Sequence, residues 1–348
     1  MFRQNKFFFP ALTVLLIVVL LFAIAFGAVS IQPSDMVSSL KHFFSGQKPA
    51  NIHEGVFIQL RLPRVLLCAI TGAILAVSGV LMQGLFRNPI VEPGLAGTSA
   101  GAAFGASVIF VLGPKISPAL KSLTGPFLVP LFAFAGGLLA TYMVYTLAKS
   151  LSRLSIMSLL LIGIAINALG LSGTGFMSYI ARDPQARSIT FWNLGTFSGA
   201  SWLQVCIVGS VAALIFTFAV RYAKELNALL LGEEEAAYLG VDTDKLKRRI
   251  MILNTAMVSV ATAFVGVISF MGLIVPHVLR LLIGGDNKRL LPASMLAGAL
   301  LLVLADMGAR LLLAPAEIPI GILTSLVGAP VFIILLKNSD WLKQKMGG

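Results

Sequence analysis

The long apolar segments of this 348-residue chain constrain its fold more than any other feature. They lie near residues 7–29, 65–84, 94–112, 126–148, 156–179, 202–220, 250–270, 273–283, 291–313 and 319–336. Most have about 20 residues, the length at which an α-helix crosses a bilayer core of about 30 Å. Only 11% of the residues are charged, against about 25% in a soluble domain. The sequence therefore predicts an all-α polytopic membrane protein with about ten transmembrane helices, one of them short, and excludes a soluble globular fold.

Two of these segments need interpretation. The first, 7–29, is longer than the apolar core of about 7 to 15 residues in a secretory signal, so it is predicted to be an uncleaved membrane span. The stretch 250–283 is too long for one crossing and too short for two full ones. Gly272 and Pro276 are expected to break it into a full helix and a half-length helix, with the irregular turn buried among neighbouring helices.

The distribution of basic residues predicts the orientation of the chain. With about ten crossings both termini lie on one side of the membrane, and most of the 26 lysines and arginines fall on that side. Because cytoplasmic segments carry the excess of Lys and Arg, both termini are expected to be cytoplasmic, and nucleic acid is not a predicted partner. The longer connections, near 30–62 and 221–249, lack the composition of linkers. The chain 1–348 is therefore predicted to be one transmembrane domain.

The loop 221–249 contains the most informative polar segment, LGEEEAAYLGV at 231–241. Its two glycines bracket a short predicted helix at 233–239 with carboxylates in the first turn, where the helix dipole favours them. Such a helix at the membrane surface suits the docking of a soluble partner, although an ordinary solvated connector has the same composition. The predicted docking residues are Leu231, Gly232, Glu233, Glu234, Ala236, Tyr238, Leu239 and Gly240.

Ionisable residues are scarce within the apolar segments, where they are energetically expensive. Asp306 is the clearest one, and Arg310, one helical turn later, is expected to pair with it. Gly97, Gly101 and Gly105 lie four residues apart and are interpreted as helix-packing residues. The sequence has no nucleotide-binding loop, catalytic constellation or metal-ligand spacing. Neither a cofactor nor enzymatic chemistry is predicted.

Five segments together resemble the FecCD family, the permease subunits of type II ABC importers for ferric siderophores, haem and cobalamin. They are LRLPR at 60–64, GAILAVSGVLMQGLFRNPIVEPGLAGTSAGA at 72–102, LGEEEAAYLGV at 231–241, ISFMGLIVPHVLRLLIGGDNKRLLPAS at 268–294 and ADMGARLLLAPAEIPIGILTSLVGAPVF at 305–332. Two small departures occur: Asn287 replaces a common His, and Met271 replaces a common Val. Neither affects a residue on which the resemblance depends.

The resemblance implies partners on both sides of the membrane. Two copies of an ABC ATPase would dock on the loop 221–249, and a second permease subunit, expected to be an identical copy, would complete a central pathway among membrane lipids. A periplasmic or lipid-anchored substrate-binding protein would deliver the cargo. Its acidic residues would meet Arg61, Arg64 and Arg310, since a guanidinium binds a carboxylate in bidentate fashion. Alternatively, these arginines only anchor helix ends.

The sequence thus predicts a permease subunit that moves haem or a ferric siderophore across the bacterial inner membrane by alternating access. Cobalamin is less favoured, because the segment RDPQARSITFWNLGTFSGASW at 182–202 looks more like the haem and siderophore permeases. Two alternatives remain. An ion-coupled secondary transporter would need intramembrane carboxylates, which are scarce, and a membrane-embedded enzyme would need a catalytic constellation.

The transport path is expected to be a mostly apolar, weakly binding cavity without a charged site, because a tight site needs convergent polar groups. The residues predicted along the pathway and its gate are Met82, Gln83, Leu85, Asn88, Ser150 and Ser152.

Overall fold

The computed structural model describes residues 6–27, 31, 33–46, 49, 51–113, 125–151, 155–314 and 316–337. Regular secondary structure within these residues is entirely helical. The α-helices are α1 (Phe8–Ala25), α2 (Pro33–Phe44), α3 (Ile52–Val56), α4 (Leu62–Leu85), α5 (Thr98–Leu112), α6 (Leu128–Leu151), α7 (Ile156–Ile180), α8 (Asp183–Asn193), α9 (Trp202–Arg221), α10 (Ala223–Leu229), α11 (Glu233–Tyr238), α12 (Thr243–Val265), α13 (Met271–Ile283), α14 (Asn287–Leu311) and α15 (Ile320–Lys337).

Seven helical segments in the described part of the chain are long and apolar enough to cross a membrane, and three shorter apolar helices accompany them. One of the seven runs from Ile52 to Leu85, because a π-helical turn, Phe57–Arg61, joins α3 to α4. Together these helices match the predicted apolar segments in order and confirm the polytopic all-α fold. Among the shorter apolar helices, α13 has 13 residues and is the half-length helix that the sequence predicts.

α4 is the central helix of the bundle and contacts α9, α12, α13 and α14. Every residue from 71 to 85 is buried. Two glycines make this possible: Gly72 faces the backbone of Gly298 in α14, and Gly79 faces the backbone of Gly272 in α13, with no room for a Cβ atom at either contact. Small residues allow such close approach, which helix association in lipid depends on.

The glycines of α5 have the packing role that their spacing predicts. Gly101 lies against the backbone of Gly136 in α6, and Gly105 lies against the carbonyl of Phe132 in the same helix. Gly97 instead precedes α5 with a φ of +84°, a left-handed conformation that favours glycine. The first half of the short α5 is therefore held against α6 by backbone contact.

The break in the stretch 250–283 lies at residues 266–270, not at Gly272 and Pro276. α12 ends at Val265 and α13 begins at Met271. The backbone of Gly266 has a φ of +77° and that of Phe270 a φ of +68°. Left-handed residues cannot continue a right-handed helix, so the chain turns there.

Pro276 lies inside α13, and a neighbouring side chain compensates for its missing N–H group. A helical residue at this position would donate to the carbonyl of Gly272, four residues earlier. In its place, Gln83 of α4 donates its Nε2 to the carbonyls of Gly272, at 3.3 Å, and Leu273, at 3.2 Å. The proline therefore does not end the helix, because α4 satisfies the freed backbone oxygen.

A second irregular segment, 86–97, connects α4 to the short α5. Side-chain amides from other helices satisfy its backbone: Asn254 of α12 donates to the carbonyl of Pro93 at 3.3 Å, and Asn167 of α7 donates to that of Leu95 at 3.1 Å. Glu92 accepts a hydrogen bond from the backbone N–H of Phe270 at 3.1 Å. This contact joins the two irregular segments to each other.

Candidate functional site

The side of the bundle that carries α11 is here called the inner side. α11 is the helix predicted between Gly232 and Gly240, and it ends within one residue of the predicted bound. Gly232 has a φ of +148° and Gly240 a φ of +84°, so both glycines adopt conformations that other residues rarely do. The three glutamates of the first turn are at the positive end of the helix dipole, as expected.

The side chains of α11 divide into an anchoring face and an outward face. Ala236 is fully buried, and Glu233 pairs with Lys247 of α12 at 2.5 Å. On the outward face Tyr238 is 89% exposed and Leu239 is 64% exposed. Leu231, Glu234 and Glu235 are exposed as well. An anchored helix that presents apolar and acidic side chains outward has the composition of a protein-docking element.

A hydrogen-bond cluster joins α10, which packs against α11, to the start of α14. Asn227 of α10 donates to Asp286 at 2.6 Å and accepts from the backbone N–H of Asn287 at 2.8 Å. Partial burial opposes ionisation of Asp286, but its hydrogen bonds from Asn227 and from the backbone N–H of Lys288 lower its pKa below the ordinary value. Asp286 is thus a charged N-cap that ties the inner loop to α14.

On the opposite, outer side the structure brings the three predicted arginines together. Arg64 pairs with Asp306 at 2.9 Å and with Glu317 at 2.8 Å. Arg310 pairs with Asp306 at 3.0 Å, which confirms the predicted i, i+4 pair. Arg61 donates to the backbone carbonyls at the end of α1, with its Nη1 2.8 Å from the oxygen of Ala25.

These arginine contacts connect α1, α4 and α14. Arg310 also donates to the carbonyl of Ala23, at 3.1 Å, so two guanidinium groups satisfy the final carbonyls of α1. All three arginine side chains are largely buried by this network. The anchoring of helix ends, which the sequence leaves open as the alternative, is therefore present, and a role in binding-protein docking stays a prediction.

The predicted pathway residues of α4 are not on a surface or cavity in this conformation. Met82, Gln83 and Leu85 are fully buried in the centre of the bundle, because α4 is surrounded by four helices. Asn88 accepts from the backbone N–H of Ile90 at 3.0 Å and shapes the turn after α4. Ser150 is exposed and donates to the carbonyl of Leu147, whereas Ser152 lies outside the described residues.

A cavity of about 630 Å³ lies elsewhere, between α5, α7 and the irregular segment 266–270. Its polar lining consists of Glu92, Ser99, Asn167, Thr174, Asn193 and Ser269. Sequence reasoning missed this site because these residues come from five separate segments, and Asn167 lies within an apolar run. The available signal was Glu92 itself, an ionisable residue in the connection between the apolar segments 65–84 and 94–112, because a carboxyl group buried in a membrane domain needs a partner.

Comparison with known proteins agrees with this architecture. The model of the FecCD transport family matches residues 15–338, so the chain belongs to the FecCD transport family. It is 43% identical over 285 residues to the hemin transport system permease HmuU of Yersinia pestis, covering 81% of this chain and 83% of that protein. It is 38% identical over 286 residues to the vitamin B12 import permease BtuC of Vibrio parahaemolyticus, with 82% and 84% covered.

A solved structure, an inward-facing conformation of a metal-chelate type ABC transporter, superposes with a TM-score of 0.80 at 32% identity, covering 95% of this chain and 98% of the other. The protein is therefore a multi-pass permease subunit of an ABC importer, not an enzyme. These relatives give no support to an ion-coupled secondary transporter.

Proposed function

We propose that this permease moves haem or a ferric siderophore, in preference to cobalamin, inward across the bacterial inner membrane. The hemin permease of Yersinia pestis shares 43% identity with the chain, against 39% for the cobalamin permease of Halobacterium salinarum. The iron(III) dicitrate permease FecD of Escherichia coli shares 37%, so for a siderophore the preference rests on the segment 182–202. The motion is alternating access between two permease copies, with both termini in the cytoplasm. The exposed apolar side chains of α7, among them Leu161, Leu169 and Tyr179, support a second copy on that face.

The ATPase subunits dock on α11, and this docking carries the proposal. Tyr238 and Leu239 protrude from a helix whose other face is fixed by Ala236 and the Glu233–Lys247 pair. Because α11 is attached rigidly to α12, a displacement of the ATPase would move α12 together with α11. The glutamates at the start of α11 add orientation and encounter rate rather than most of the affinity.

The substrate-binding protein docks on the outer rim around Arg61, Arg64 and Arg310. Because these guanidinium groups are held by Asp306, Glu317 and backbone carbonyls, their main contribution is a rigid rim with an excess of positive charge. Acidic residues of the binding protein would be steered to such a rim from a distance.

The cargo then enters the cavity that Glu92 and Asn167 line. This placement differs from the expected path in one respect, because a carboxyl group, that of Glu92, is part of the lining.

Reconstitution tests the cargo assignment. The permease is placed in liposomes with its ATPase and binding protein, and ATP-dependent uptake of haemin, a ferric siderophore and cobalamin is measured separately. Uptake of haemin or the siderophore should exceed that of cobalamin at least tenfold. Preferential uptake of cobalamin would overturn the cargo assignment while leaving the permease assignment intact, and uptake without ATP would contradict the ABC mechanism.

A further inference from the structure

An apolar groove of about 760 Å³ lies on the lipid-facing surface, over α12 and between α6 and α9. Its outer end is formed by Phe127 and Phe264, whose rings meet edge to face. Its walls include Leu214 and Phe218 of α9 and Ile252 of α12, all exposed. Ser210 is the one side chain with a polar group in its lining within the described residues. A groove of this composition cannot bind a polar ligand along its length.

The groove has the length of a lipid acyl chain. Its lining on α9 extends from Ile207 to Phe218, which at about 1.5 Å per residue is about 16 Å. Half of a bilayer core is about 15 Å. One acyl chain of a phospholipid in the adjacent leaflet therefore fits along it. A second apolar concavity, on the other side of α9, has a volume of only about 240 Å³.

Basic side chains stand at the inner end of the groove. Arg221 follows Phe218 by one turn of α9, with its guanidinium 5.4 Å from the ring centroid of Phe218. Arg249 precedes Ile252 by one turn of α12, with its guanidinium 5.9 Å from the ring of Tyr222. Both arginines are exposed, and neither forms an ion pair within the described residues.

The charge around this end remains positive after its neighbours are counted. Asp242, the carboxylate that acts electrostatically on Arg249, is paired with Lys245 at 2.8 Å. Lys224 and Arg248 are exposed close by in sequence and add two positive charges, against the one carboxylate of the partly buried Glu225. Basic pockets between helices at the cytoplasmic membrane surface attract anionic phospholipid headgroups. Stacking on Phe218 and Tyr222 holds the guanidinium groups at the level where such a headgroup lies.

We propose that this groove is a specific site for an anionic diacyl phospholipid of the inner-side leaflet. One acyl chain occupies the groove, and the phosphate is bound between Arg221 and Arg249. The site is separate from the cavity lined by Glu92 and from the outward face of α11. It joins α9, which leads into the ATPase-docking loop, to α12, which leads out of it, so bound lipid stabilises the two helices that carry that loop.

The test uses the assembled transporter of permease and ATPase in mild detergent. Phosphatidylglycerol or phosphatidylcholine is titrated, and bound lipid is counted by native mass spectrometry. One phosphatidylglycerol should be retained per permease copy, with phosphatidylcholine retained much more weakly. The double variant Arg221→Gln, Arg249→Gln should bind phosphatidylglycerol about twenty-five-fold more weakly, since each basic residue near an anionic headgroup contributes about a factor of five. Lys337→Gln, which removes one exposed charge at the end of α15, a helix that packs on α13 and α14, should leave binding unchanged.

A second variant tests the contribution of the apolar groove to lipid binding separately from that of the arginine charges. Ala256→Phe fills the floor of the groove without altering any arginine, so it should also abolish retention. Arg221→Lys with Arg249→Lys should preserve most of the binding. Equal retention of both lipids, or unchanged binding in both the glutamine and the phenylalanine variants, would show bulk lipid only and overturn the proposal.

Discussion

Asp306 is the residue on which the outer ends of three helices depend. Its carboxylate is 2% exposed and lies between Arg64 and Arg310, while these two arginines extend the network to Glu317 and to the end of α1. A buried carboxylate between two guanidinium groups is stable only as a set, because removing one member leaves charges that lack compensation. The outer rim is consequently sensitive to this single position.

Asp306→Asn should therefore destabilise the protein strongly. Loss of a buried pair partner costs about 3–5 kcal/mol, whereas Glu317→Gln, at a carboxylate that is 42% exposed, should change stability by about 0–1 kcal/mol. Thermal unfolding in detergent, followed by size-exclusion chromatography, measures the difference. Similar melting midpoints for the two variants would mean that Asp306 does not hold the network together.

At the scale of helices, the close contact between α4 and α13 has the least tolerance for change. Gly79 faces the backbone of Gly272, so Gly79→Ala forces the two helices apart and should cost about 1–3 kcal/mol through overpacking. Gly209 of α9 is a matched control, because a Cβ there meets only the side-chain end of Ile70, at the ordinary contact distance of 3.4 Å. Gly209→Ala should be neutral or slightly stabilising in the same melting experiment. Equal destabilisation by both changes would contradict the packing argument.

The exposed side chains at the end of α11 lead to a prediction about association of the ATPase with the permease. Replacing Tyr238 and Leu239 together by Asp should release the ATPase, since the changes place two charges in the apolar centre of the proposed contact. Both side chains are exposed, so the membrane helices should fold as before. Co-purification of the ATPase on an affinity-tagged permease measures the effect.

Ile52→Asp is the control for that experiment. Ile52 is an 81% exposed apolar residue at the start of α3, on the outer side. The same type of substitution there should leave the ATPase bound. ATPase recovery that is undiminished in the α11 variant would remove the docking assignment.

For the whole molecule, the sequence predicts the order of the helices because apolar length determines what crosses a bilayer. α11 is also predictable, since two glycines and a run of carboxylates bracket it. The position of the break before α13 is not, because Pro276 lies within a helix only through the hydrogen bonds of Gln83 from α4. The sequence does not predict the cavity either, because Glu92 and Asn167 are brought together by contacts between distant segments.

Direct titration of cargo onto the purified transporter tests how the cavity works. Its polar groups are partly engaged within the protein, with Glu92 on the N–H of Phe270 and Asn167 on the carbonyl of Leu95. Few polar groups of the cavity are therefore left to bind the cargo tightly. Calorimetry without the binding protein should find a dissociation constant no tighter than about 1 µM, which corresponds to a binding free energy of about 8 kcal/mol. A submicromolar value that is lost in Asn167→Leu would locate cargo recognition in the permease itself.

The two irregular segments also constrain how the protein is made. Backbone groups of the segment 86–97, of Phe270 and of the first turn of α13 are hydrogen-bonded by side chains from other parts of the chain, namely Asn254, Asn167, Glu92 and Gln83. A span that depends on such distant partners is a poor candidate for independent lateral release into lipid during synthesis. Asn167 of α7 and Asn254 of α12 follow the segment 86–97 in the chain, so α5 is expected to reach its final depth only after those two helices have been inserted.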